Sequence, residues 1–147
     1  MSWAAVDQIR QAAGMDVILK GIMSAQEAQT VVEKGVQGII VSNHGGSHLQ
    51  GLAPPIEVLP SIVDAVGSNV PVDGGFRRGT DIVKALAFAA RAVLITRPPL
   101  WGLAAYGSDG VETVLLMLQS ETARTMGNCC KVNLAAQDRS LVRVVRR

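Results

Sequence analysis

The chain has 147 residues, 48% of them hydrophobic and 18% charged, with a formal net charge of +2. That length suits one domain with a real core. The small net charge argues against a nucleic-acid partner. No apolar run reaches the roughly 18 residues a membrane span needs, and the start lacks the basic-then-apolar pattern of a secretory signal. Aromatic residues make up only 3% of the chain, so the core is expected to be built from Ala, Val, Leu and Ile, as in parallel strands covered by helices.

In chain order, residues 1–13 read as a helix and VILK (17–20) as a short strand. SAQEAQTVVEKG reads as a helix opened by a Ser24–Glu27 capping box and stopped at Gly35. GIIVSN (38–43) is the second strand. PPIEVLPSIVDAVG follows as a helix with Ile56, Leu59, Ile62, Val63 and Val66 on one face. NVPV, the turn DGGFRRG and the helix TDIVKALAFAA form the third unit. RAVLIT (91–96) is the fourth strand, followed by a Pro-Pro turn and a helix from about Gly110 to Met126. Arg139, Arg143, Arg146 and Arg147 lie in a basic segment at 139–147, read as a solvated tail. The adjacent Cys129 and Cys130 lack metal-ligand spacing and read as reduced thiols at a helix end.

Four consecutive βα units imply an α/β fold with parallel strands and right-handed crossovers. An open doubly wound sheet and half of a (β/α)8 barrel both fit. The strand ends favour the barrel, because Lys20, Ser42-Asn43-His44, Asp73 and Thr96-Arg97 put polar groups at each of them, and barrels build their sites at that rim. The last two loops, GGFRRG and TRPP, are where barrels commonly hold phosphate. Gly74 and Gly75 let backbone approach an oxyanion, and Arg77 and Arg97 bring forked donors. Lys20 either stabilises negative charge on a ligand or pairs with Asp73. His44, followed by two glycines, is the best general-base candidate, since imidazole titrates near neutral pH.

The segments KGI (20–22), GIIVSNHGG (38–46), DGGFRRGTD (73–81) and RPPLWGLAAYG (97–107) together resemble the FMN-dependent 2-hydroxy acid oxidases and dehydrogenases, a family that includes glycolate and lactate oxidases. The resemblance covers residues 1 to about 142 and corresponds to strands five to eight of the family's barrel. It implies that Lys20 and Ser42 contact the flavin ring and that His44 takes a proton from the hydroxy acid while the flavin accepts two electrons. It also implies that Asp73, Gly74, Gly75, Phe76 and Arg77 hold the ribityl chain and phosphate, with Thr96 and Arg97 completing that site. The partner would be a small 2-hydroxy acid, and the compartment cytoplasmic or peroxisomal, although the terminal Val-Arg-Arg is not a peroxisomal tripeptide.

The chain departs from the family pattern in ways that bear on activity. Ser47 stands where the family has the arginine that clamps the substrate carboxylate, a loss expected to cost about 2–5 kcal/mol of binding. His48 stands where the family has a glutamine, and a neutral imidazole is a weak anion ligand. The third strand lacks two apolar residues that the family has before DGG, so it should be about 6–7 Å short, pulling up its lower end or drawing Asp73 and Arg77 off the rim. Four strands are also only half a barrel. They leave two apolar edges that invite a second half-barrel, in a homo-oligomer or from another partner. The alternative to an oxidase is a non-catalytic half-barrel that binds a partner or a phosphate ligand.

Overall fold

In the computed structural model, residues 2–145 are described. They fold as α1 (Trp3–Ala13), β1 (Ile18–Ile22), α2 (Ala25–Glu33), β2 (Gly38–Val41), α3 (Pro55–Val66), β3 (Val70–Asp73), α4 (Gly79–Ala87), β4 (Ala90–Leu94) and α5 (Arg97–Asn128). The four strands are parallel and lie in the order β1-β2-β3-β4. A doubly wound sheet reverses its strand order at a switch point. The unbroken sequential order here excludes that alternative and is that of half a barrel.

Local chemistry explains the element boundaries. The Ser24 hydroxyl accepts the Glu27 N–H at 3.2 Å and opens α2, while the Glu27 carboxylate reaches back to the Met23 N–H at 3.4 Å. Gly35, at φ 70°, ends α2 in the left-handed region. Arg10 of α1 donates to the Lys34 carbonyl at 2.7 Å and so covers the C-terminal end of α2. The expected apolar face of α3 is realised, with Leu59, Ile62 and Val63 buried against the sheet.

Two irregularities set the rim. Between Lys20 and Ile22, β1 advances two residues while β2 advances one, so Gly21 is a bulge. The bulge lets Ile22 enter the core at 5% exposure while Lys20 faces the other side of the sheet. The strand therefore runs past Lys20 rather than ending there, and the bulge keeps the lysine at the rim. In the second irregularity, two steps along β3 from Val70 to Val72 match three along β4 from Ala90 to Val93. The extra residue in β4 takes up the shortness of β3. Asp73 stays level with Leu94 at the strand end instead of being drawn away, although β3 pairs with β2 only at Val41 and Val72.

The expected Pro-Pro turn is instead the first turn of α5, with proline in the opening helical positions, where its missing N–H costs nothing. The helix breaks at Tyr106 and Gly107 and resumes to Asn128. The core lies between one sheet face and the helices, built from Ile39, Val41, Val70 and Val72 packed on Val31, Leu59 and Ile62. The opposite face, which would line a whole barrel, is open, with Ile18 57% exposed. The basic segment begins anchored rather than free, since Arg139 pairs with Asp64 of α3 at 2.5 Å. Arg146 and Arg147 lie outside the described residues.

Candidate functional site

The Ser42 hydroxyl, fully buried just beyond β2, is the hub of the strand-end cluster. It accepts hydrogen bonds from Lys20 Nζ at 2.9 Å and from the His44 backbone N–H at 3.0 Å. Lys20 Nζ also lies 2.5 Å from an Asp73 carboxylate oxygen. The lysine therefore pairs with Asp73 while bordering the cavity beside it. One ammonium thus ties β1, β2 and β3 together at the rim.

His44 has φ 55° and is followed by Gly45 and Gly46 at φ 69° and 76°. A histidine in the left-handed region is uncommon, and backbone strain of this kind collects at functional sites. The turn lays the imidazole over β1, so close that a Cβ on Gly21 would stand 2.7 Å from His44 Nε2. The His48 ring lies against it with centroids 4.5 Å apart. Ser47 turns inward on its own loop. Its hydroxyl donates to the His44 carbonyl at 2.8 Å and lies 3.1 Å from His48 Nδ1.

The loops after β3 and β4 close the other side. Gly74 and Gly75 have φ 104° and 88°, and a Cβ on Gly75 would meet nothing within 4 Å. Phe76 borders the cavity, yet its side chain packs in the core at 5% exposure. Arg77 lies over the Trp101 ring, 5.4 Å from its centroid. Arg97, at the start of α5, reaches back to the His44 loop, its guanidinium 3.7 Å from where a Gly45 Cβ would be. Thr96 caps no helical N–H and also faces the cavity.

A single cavity of about 340 Å³ is bordered by Lys20, His44, Ser47, Asp73–Arg77, Thr96 and Arg97. The structure thus gathers the sequence-predicted site residues around one space, with Ser42 immediately beneath it. Lys20, Arg77 and Arg97 face one carboxylate, Asp73, so the cavity favours anions. Sequence reasoning passed over three neighbours. Asp81 accepts the N–H groups of Arg77 and Arg78 at 3.1 and 3.0 Å. Glu121 pairs with Arg78, and Trp101 supports Arg77. An acid three residues after Arg78 at a helix start was a readable capping signal for Asp81. Nothing local announces Glu121 or Trp101.

Four parallel βα units in sequential strand order, with polar and charged strand ends around one cavity, define half of a (β/α)8 barrel. The chain matches the FMN-dependent dehydrogenases over residues 1–144 and belongs to that family. It is 43% identical over 145 residues to mouse 2-hydroxyacid oxidase 1, covering 97% of this chain and 39% of that protein. It is 48% identical over 127 residues to a peroxisomal (S)-2-hydroxyacid oxidase of Arabidopsis thaliana, covering 85% of this chain and 35% of that protein. The crystal structure of a mandelate oxidase with (S)-2-phenylpropionate superposes with a TM-score of 0.88 at 44% identity, over 95% of this chain and 42% of that one. The chain therefore spans about two fifths of the length of the curated relatives it matches.

FMN is the cofactor of this family, and the residues present fit its phosphate end. Among the described residues, no carboxylate pairs with Arg77 or Arg97, and the open space beside Gly75 leaves its backbone accessible. Planar forked guanidinium donors match a phosphate dianion. The N–H groups of Arg77 and Arg78 are taken by Asp81 and that of Gly79 by Glu121, so the charged donors at this end of the cavity are the two guanidinium groups.

Proposed function

We propose that this chain supplies the C-terminal half of an FMN-dependent site that oxidises a 2-hydroxy acid to a 2-oxo acid, with the electrons passing on to oxygen or another acceptor. The observation that carries this reading is the convergence of Lys20, His44, Asp73, Arg77 and Arg97 on one cavity. Lys20 and Ser42 would face the flavin ring, with the ammonium set to balance negative charge there. Asp73 to Arg77, with Thr96 and Arg97, would hold the ribityl chain and phosphate. Bound there, FMN supplies the two-electron acceptor, and the protein supplies geometry and charge. His44 accepts the proton of the substrate. Its backbone N–H is fixed by Ser42 and its ring rests on β1 at Gly21, which orients the base without lending it a carboxylate partner.

The specific observation favouring the second reading is Ser47. Its hydroxyl is spent on the His44 carbonyl and offers a substrate carboxylate no charge. A non-catalytic half-barrel that keeps the anion site accounts for this arrangement without requiring turnover. In either reading the open sheet face, with Ile18 exposed and β1 and β4 as unpaired edges, would be covered by a second half-barrel, whether a further copy or another four βα units. Among the described residues no helix is long and apolar enough to cross a membrane, and cytoplasmic and peroxisomal settings both accommodate the proposal.

The test is a titration of the chain with FMN, following flavin fluorescence and sedimentation together, on the parent and on Ser47→Arg. Saturable binding by a discrete oligomer is expected. Serine-to-arginine replacement is expected to raise turnover of short 2-hydroxy acids by about tenfold or more, the return of one desolvated charge pair. Binding without turnover in both proteins would favour the non-catalytic reading. Absence of FMN binding would overturn the flavin-site reading and leave the non-catalytic half-barrel.

A further inference from the structure

The turn after β3 carries two adjacent arginines, and they point to different places. Arg77 lies on the Trp101 ring at the cavity. Arg78 turns away, its Nη2 2.9 Å from Glu121 Oε1. The second oxygen of the same carboxylate accepts the Gly79 N–H at 2.8 Å, across 42 residues of sequence. The Glu121 side chain is 21% exposed and the Arg78 side chain 70%, so the contact with the Gly79 N–H is the shielded and stronger one, while the ion pair with Arg78 lies toward solvent. Gly79 itself is pressed on α5. A Cβ there would stand 2.3 Å from the Thr122 nitrogen and 2.4 Å from the Glu121 carbonyl carbon. One carboxylate thus grips the start of α4 by its backbone and removes the adjacent guanidinium from the rim.

We propose that Glu121 is a positioning residue for the anion site. It neutralises Arg78 and fixes the turn so that Arg77 alone is presented to a phosphate monoester. The inference rests on the flavin-site reading above. The physical reason is competition. Two neighbouring guanidinium groups repel one another, and either can reach for the same dianion, with loss of a single bidentate geometry. A fixed carboxylate behind one of them sorts the pair. Asp81 does the matching work on the backbone by accepting the N–H groups of Arg77 and Arg78. The turn is then held from both sides, and the Arg77 side chain remains free for the ligand.

FMN and riboflavin, which differ in the phosphate, are titrated into the unmodified chain, Glu121→Ala, Glu121→Gln, Arg77→Ala and the double variant Glu121→Ala/Arg77→Ala, with a thermal melt of each. The expected result is that Glu121→Ala weakens FMN about tenfold, as removal of one orienting charge-assisted contact does, and leaves riboflavin unchanged. Glu121→Gln keeps an acceptor for Gly79 but no charge for Arg78 and should fall between. In the Arg77→Ala background the Glu121 substitution should no longer alter FMN affinity, while its effect on the melting temperature persists. Equal losses in both backgrounds, or equal losses for riboflavin and FMN, would make Glu121 a helix staple only and overturn the proposal. If Glu121→Ala does not fold, Glu121→Gln with and without Arg77→Ala carries the same comparison. Failure of the unmodified chain to bind FMN overturns the flavin-site reading itself, and this inference with it.

Discussion

Gly21 shows how much one absent methyl group decides. It sits at φ 111° in the β1 bulge, and a Cβ there would meet His44 Nε2 at 2.7 Å. Gly21→Ala therefore carries two penalties, a backbone angle that L-residues avoid and a collision with the proposed base. The combined cost is expected to be about 1–3 kcal/mol in thermal unfolding. The same substitution should displace the imidazole, read as a change in the His44 ring resonances. Gly14→Ala is the control, since Gly14 has φ 59° and open space around it. It should cost only the angular term and leave His44 untouched. An equal response of His44 in both variants would show that the ring does not rest on β1. The residue pattern of this site was largely readable, because histidine, lysine, arginine and paired glycines at strand ends have few other uses. Their mutual bonds through Ser42 were not, since a buried hydroxyl looks like any other serine in sequence.

At the scale of elements, α5 carries the instructive difference. Proline at the start of a segment satisfies a turn and a helix equally well, so residues 97–105 gave no helical signal of their own. What makes them helical is packing. Gly102 and Gly110 bring the two parts of α5 into backbone contact across the break, each Cβ position lying 2.3 or 2.0 Å from the other residue's carbonyl oxygen. Backbone cannot swing aside as a side chain can. Gly110→Ala is expected to destabilise the chain by about 3 kcal/mol and, because Arg97 and Trp101 ride on the displaced segment, to weaken FMN binding as well. Gly127→Ala, with nothing within 4 Å, should be neutral or slightly stabilising, as alanine is the better helix former. Melting both variants decides it. An unaffected Gly110→Ala protein would refute the close packing.

For the whole molecule, the segment after α5 returns to the body of the fold and is held by charge. Asp138 accepts from Lys131 Nζ at 2.6 Å and from the Ser140 N–H at 2.8 Å, and Arg139 pairs with Asp64 of α3. The lysine's hydrogen bond, then those from Ser140, hold the Asp138 carboxyl well below the usual carboxylate range. A depressed folded-state value means that the contribution is complete above the unfolded value of about 3.9. It is lost as pH falls through the folded one. Limited proteolysis of residues 131–142 should therefore stay slow down to strongly acid pH and then accelerate. Asp138→Asn should be cleaved faster at neutral pH and lack the acid transition. An unchanged pH profile in the variant would remove Asp138 from the account. The pair is solvent-exposed, so salt should also loosen it.

What the sequence by itself determined is the βα alternation, the capped start and glycine stop of α2, the apolar face of α3, the rim chemistry and the family resemblance. Each of these rests on neighbours within a turn or two of one another, where the period of apolar residues and the capping side chains act. Only the tertiary structure decided the strand order, the bulge in β4 that keeps Asp73 at the rim despite a short β3, the helical start of α5 and the grip of Glu121 on the turn 42 residues before it. Those features arise from contacts between segments that meet only after the sheet has formed, so no local pattern encodes them.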